Sequence, residues 1–67
     1  MDEKMKLKFA YEVLANMVGT SEKFAREYRA ESNEGMALYC EGKSAAYVLA
    51  CNLLIDFFDL DVERLSL

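Results

Sequence analysis

Apolar residues along this chain fall into two long stretches of helical periodicity separated by one break. In the first half, Met5, Phe9, Val13, Met17, Phe24 and Tyr28 recur at the spacing of one helix face. Leu7, Leu14, Val18 and Ala25 form a second stripe, about 100–150° around the same helix. In the second half, Tyr39, Ala46, Ala50, Leu53, Phe57 and Leu60 make one stripe. Cys40, Tyr47, Cys51, Leu54 and Phe58 make another. Together the two cover about 200° of the wheel, against roughly 100° for an ordinary surface helix. The polar remainder is narrow: Glu41, Asn52, Asp56, Asp59 and Glu63. Such a helix needs cover on more than one side.

The break is Ser32-Asn33-Glu34-Gly35. Asn33 is a good N-cap, and Glu34 suits the first turn of the helix that follows. There is no proline, and Ala, Leu, Glu, Lys and Met dominate, all good helix formers. The fold class is therefore all-α: one domain over 1–67, an antiparallel hairpin of helices at about 3–31 and 34–62. Matched arms place Phe24 near Gly42, Gly19 near Tyr47, Val13 near Leu53 and Phe9 near Phe57. They place Lys4, Lys6 and Lys8 near Asp56, Asp59 and Asp61. Gly19-Thr20-Ser21 allows a second reading, because Gly can end a helix and Thr or Ser can cap the next. That reading gives three helices at about 3–18, 21–31 and 34–62.

Size sharpens the problem of the apolar surplus. A single core in a chain of 67 residues rarely supplies more than about 3–5 kcal/mol. Small chains add disulfides, a metal or a partner. Cys40 and Cys51 on one helix are about 16 Å apart along its axis, beyond the ~7 Å that a disulfide tolerates. The opening Met1–Lys6 has no apolar signal region. Free, buried thiols in a reducing cytoplasm are expected. Histidine is absent and the cysteines are not closely paired, so no metal or other cofactor is expected.

Self-association remains, and 54% of the residues are hydrophobic. A homodimer or higher oligomer, packed as a four-helix bundle, would bury Tyr47, Cys51, Leu54 and Phe58 at its interface. Asn52 is expected to face water beside Asp56. The alternative is an Asn52 that pairs with its symmetry mate and fixes the register.

The net charge of −4 disfavours a general nucleic-acid binder, since phosphate affinity comes from clustered Lys and Arg. It favours a basic protein partner, for which Glu41, Asn52, Asp56, Asp59 and Glu63 form the candidate strip. The most apolar stretch, Ala45–Leu60, carries Asn52, Asp56 and Asp59 and is shorter than the ~20 residues of a membrane span.

Two local patterns point to other chemistry. Leu14 to Tyr28 resembles the helix-turn-helix of bacterial DNA-binding proteins. Ala15 stands at the helix contact, Gly19 at the turn, Ser21 at the cap, and Leu14, Val18 and Tyr28 at core positions. The resemblance implies a DNA-binding regulator acting through residues 14–29. Ser21, Glu22, Lys23 and Arg26 would face the major groove and Arg29 a phosphate. Asp56, Asp59 and Glu63, at i, i+3 and i+7, would share one helix face and resemble the Mg²⁺-holding rows of all-α nucleotide pyrophosphohydrolases. A Mg-dependent nucleotide hydrolase is the third reading, and the facing helix lacks the matching acids. With no histidine as base, nucleophilic catalysis has no support, and no enzyme is expected. The leading expectation is a small acidic, homo-oligomeric helical module that binds another protein.

Overall fold

In the computed structural model, which describes residues 2–66, two helices pack antiparallel as a hairpin: α1 (Glu3–Ala30) and α2 (Glu34–Phe58). No strand occurs among the described residues. Asp2 caps α1, its carboxylate accepting from Met5 N at 2.8 Å, with Glu3 in the first turn. α1 runs unbroken through Gly19. Thr20 Oγ1 donates back to Asn16 O at 3.1 Å instead of capping a new helix. The three-helix reading is thereby corrected. A mid-helix glycine costs only about 1 kcal/mol, too little to break a helix held on both sides of it by packing.

The connection is built by local chemistry. Ser32 N donates to Arg29 O at 3.0 Å and Asn33 N to Tyr28 O at 2.8 Å, the paired bonds of a Schellman ending. Ser32 sits at φ 60°, the left-handed position usually given to glycine. Asn33 then caps α2, accepting from Met36 N. Arg29 ties the two ends together. Its guanidinium makes a forked pair with Glu34, at 2.9 and 2.8 Å, and reaches Glu41 at 2.5 Å.

α2 stops at Phe58, four residues short of the expected end, because Asp59 turns left-handed at φ 52°. Aspartate tolerates that conformation better than most residues, and no Gly or Pro announced the stop. Leu60, counted as the last member of a helical stripe, instead lies beyond the helix and is buried.

The hairpin contact uses the stripe of smaller residues. On α1, Val18, Ser21 and Ala25 are buried, with Leu7, Tyr11, Leu14 and Tyr28 half-buried. On α2, Ala37, Cys40, Ser44, Val48 and Cys51 are buried. Positions 7, 11, 14, 18, 21, 25 and 28 alternate steps of four and three, the seam that two helices keep between them. Met5, Phe9, Val13 and Met17 step by four throughout, so that stripe drifts about 40° per step around the helix. It cannot stay against one partner, and Met5, Phe9, Val13, Met17 and Phe24 are all exposed. The expected meeting of rings with glycines is also corrected. A Cβ added at Gly19 or Gly42 would touch nothing within 4 Å, and Ala25, Ala37 and Ser44 are the small residues that let the helices approach. Of the expected lysine contacts, Lys4 reaches the Asp59 carbonyl at 3.5 Å, while Lys6 lies 3.7 Å from Glu3.

The result is a slab of 45 × 20 × 14 Å. Its thickness is little more than one helix, about 10–12 Å. The surface of 4796 Å² exceeds the roughly 4,300 Å² expected of a folded monomer of this mass. The radius of gyration, 13.7 Å, exceeds the ~11 Å of a compact domain of this length. Domains ordinarily bury their apolar faces between two layers, and this chain supplies one.

Candidate functional site

A single layer has two broad faces, and these two differ in kind. On one face a shallow cavity of about 170 Å³ opens between the helices, lined by Met17, Thr20, Ser21, Phe24, Lys43 and Tyr47. Leu54 and Phe58 continue the Tyr47 stripe at helical spacing. Tyr47 and Leu54 are half-buried, and Phe24 and Phe58 are 46% and 49% exposed. Lys43 lies over the Tyr39 ring at 5.0 Å, within cation–π range. No other segment of the described chain lies over this face. Further apolar side chains reach outward, Phe57 at 77% exposure and Phe9 at 60% among them.

The other face is crossed by the residues after α2. The Asn52 side chain takes both polar groups of one backbone residue: Oδ1 accepts from Leu65 N at 3.0 Å, and Nδ2 donates to Leu65 O at 2.9 Å. Tyr11 OH donates to Glu63 O at 2.7 Å, and Arg64 pairs with Asp56. The segment 59–66 is therefore a strap along the hairpin. A cavity of about 240 Å³ on this face is lined by Glu22, Glu41, Ser44, Ala45, Val48 and Ser66.

Electrostatics on the strap side are quiet. Burial pushes the Tyr11 phenol above its ordinary value, with Cys51 and Glu63 adding to it. Tyr11 thus stays protonated at neutral pH and keeps its donor. Burial also raises the Cys51 thiol, so it is no activated nucleophile. Its Sγ lies 3.7 Å from Tyr11 O.

Of the residues expected at a dimer interface, Tyr47, Leu54 and Phe58 do share the open face. Cys51 does not. It is 0% exposed inside the hairpin, because a small side chain on the seam is consumed by the intramolecular contact. The expected partner strip is not one surface. Glu41 is bound to Arg29, Asn52 to the strap and Asp56 to Arg64. Asp59 and Glu63 have left the helix, so the i, i+3, i+7 carboxylate face does not form. Among the described residues, no group of three His, Cys, Asp or Glu is placed to hold a metal. The helix-turn-helix pattern lacks its turn at Gly19. Ser21 is buried against α2 and Arg29 is engaged by two glutamates, leaving Lys23 and Arg26 exposed.

Comparison with protein-family models, curated proteins and solved structures found no match to this chain.

No helix is long and apolar enough to cross a membrane among the described residues. The residues missed by pattern reading are Tyr11, Arg64 and Leu65, which organise the strap, and Met17 and Phe24, which line the open cavity. The drifting step of four was a usable signal for Met17, since it marks a stripe that one straight neighbour cannot cover.

Proposed function

We propose that this chain is a self-associating interaction module. Two hairpins pack their open faces together as a four-helix bundle, and the outward, acidic surface engages a basic protein partner. The observation that carries this reading is the single-layer slab with an open apolar face around Met17, Phe24, Tyr47, Leu54 and Phe58. Phe24 and Phe58 stand about half in water, Met17 and the neighbouring Val13 somewhat less, and Tyr47 and Leu54 are half-buried. At about 150–250 Å² for each aromatic and somewhat less for the aliphatics, they leave on the order of 500 Å² of apolar surface. That is the size of the largest patch on an ordinary monomer, ~300–600 Å², which is often a functional surface.

The two-fold arrangement closes on itself, so the same patch serves both copies. Charge supports the outer role. With −4 per chain, an assembled bundle attracts basic proteins and repels nucleic acid.

The test is Phe24→Asp. Phe24 lies outside the buried hairpin seam, so the helices keep their contact while the open face gains a charge. The variant is expected to sediment as a monomer with most of its helical circular dichroism intact. A variant as dimeric as the parent chain would remove this face from the interface.

A further inference from the structure

We infer that two of the proposed bundles join edge to edge, giving a tetramer with its four α2 helices at the centre and its α1 helices outside. The inference rests on the face-to-face dimer and adds to it a second contact, along the outer edge of α2.

The observation behind it is how much of α2 is apolar. No charged residue occurs from Ser44 to Ile55, and a helix that is hydrophobic nearly all round needs cover nearly all round. α1 covers the side that carries Ala37, Cys40, Ser44, Val48 and Cys51. A second copy on the open face covers the side of Tyr47 and Leu54. The strap runs along the side of Asn52 and Asp56. One side is left. Gly42, Ala46, Leu49 and Leu53 fall opposite the buried seam at 100° per residue, and all four are exposed. Tyr39 and Phe57, also exposed, continue this edge onto the open face.

The edge fits a second copy of itself. Its small residues are Gly42, Ala46 and Ala50, and its large ones are Leu49, Leu53 and Phe57. Two edges can lie antiparallel with their midpoint between Leu49 and Ala50. Gly42 of one copy then shares a layer with Phe57 of the other, Ala46 with Leu53, and Leu49 with Ala50. Every layer holds one small and one large side chain, which suits close packing, and no layer buries a charge.

Area decides when this contact forms. A stable complex covers ~800 Å² per partner, about 65% of it apolar in a homodimer, or roughly 500 Å². Tyr39 and Phe57 divide their exposed surface between the edge and the open face. With half of each counted, at about 150–250 Å² per whole aromatic and somewhat less per leucine, one edge offers on the order of 300 Å². A lone hairpin therefore does not pair through its edge. A bundle with both edges on one side offers about twice as much, enough to hold. Charge favours that arrangement. Around the open end of the hairpin, Asp2, Glu3, Asp56, Asp59, Asp61 and Glu63 outnumber Lys4, Lys6, Lys8 and Arg64, whereas acids and bases are nearly balanced around the turn. A two-fold axis running across the hairpins sets each acidic end over the turn of the other copy, which keeps like charges apart. The same axis lays α2 over α2, so both edges face one way. Two such bundles meet through both edges, and the symmetry closes at four chains.

Sedimentation equilibrium of the full-length chain at about 100 µM tests this, since contacts of such area hold at micromolar concentration or below. The parent is expected at four times the 7.7 kDa of one chain. Ala46→Glu and Leu49→Lys, opposite in charge and both at exposed positions, should each sediment at twice the chain mass with parental circular dichroism. Phe24→Asp should sediment as a monomer, because one edge alone does not hold. A parent of twice the chain mass overturns the edge contact and leaves the face-to-face bundle standing. An edge variant as large as a tetrameric parent does the same. A monomeric parent overturns both.

Discussion

Replacing Gly19 by alanine separates a continuous helix from a helix-turn-helix. In an exposed helix interior, glycine is about 0.8–1.0 kcal/mol less favourable than alanine. Part of that difference lies in the unfolded chain, where glycine has more freedom to lose. Nothing at this position offsets the gain. Gly19 is exposed, a Cβ there has nothing within 4 Å, and its φ is not positive. Gly19→Ala should therefore stabilise the chain by nearly 1 kcal/mol, which raises the melting temperature of a domain this small by about 4–8 °C. The assay is thermal unfolding by far-ultraviolet circular dichroism. Both proteins must be at the same concentration, because the proposed self-association would make the midpoint concentration-dependent. A lowered midpoint would refute the reasoning. It would place a left-handed residue at Gly19, where a side chain is strained, and would restore the turn that DNA recognition needs.

Other outcomes follow from single interactions. Ser32→Gly should stabilise by about 0.5–1 kcal/mol in urea melts, since a left-handed non-glycine residue costs about 1–2 kcal/mol and glycine's extra unfolded freedom returns part of it. Arg29 holds the Glu34 carboxyl below its ordinary value, chiefly through its hydrogen bond. A depressed carboxylate stabilises the fold above its unfolded value, and that contribution is lost as pH falls through the folded one. Urea midpoints of the parent and Arg29→Ala should differ at neutral pH and converge in acid; a constant gap would count against the pair. Asn52→Ala should speed hydrogen exchange at the Leu65 amide by about tenfold or more, leaving the centre of α1 unchanged. Equal exchange would mean that the amide clasp does not hold the strap.

Much of the architecture could be read from the residue order. Asn33 as a cap and the two-helix hairpin both follow from short-range chemistry. The misreadings share a cause. Hydrophobic bulk drew the spine through Met5, Phe9, Val13 and Met17, yet helix pairs select for a step of 3.5 and for small residues at close approach. Ser21, Ala25 and Ser44 therefore outrank the rings. The end of α2 was illegible because Asp59 carries the left-handed turn without Gly or Pro. Losing that end scattered the carboxylate row and hid the strap, whose contacts join positions far apart in sequence: Tyr11 with Glu63, and Asn52 with Leu65. Periodicity sees one helix at a time and carries no information on such pairs.

Sedimentation equilibrium of the full-length chain tests the central claim, that one layer of two helices leaves a face which a second copy must cover. Interfaces of this size range from micromolar to picomolar affinity, so a sample at about 100 µM should be dimeric or larger. The expected mass is at least twice the 7.7 kDa of one chain. A fully helical species of 7.7 kDa at that concentration would contradict the account.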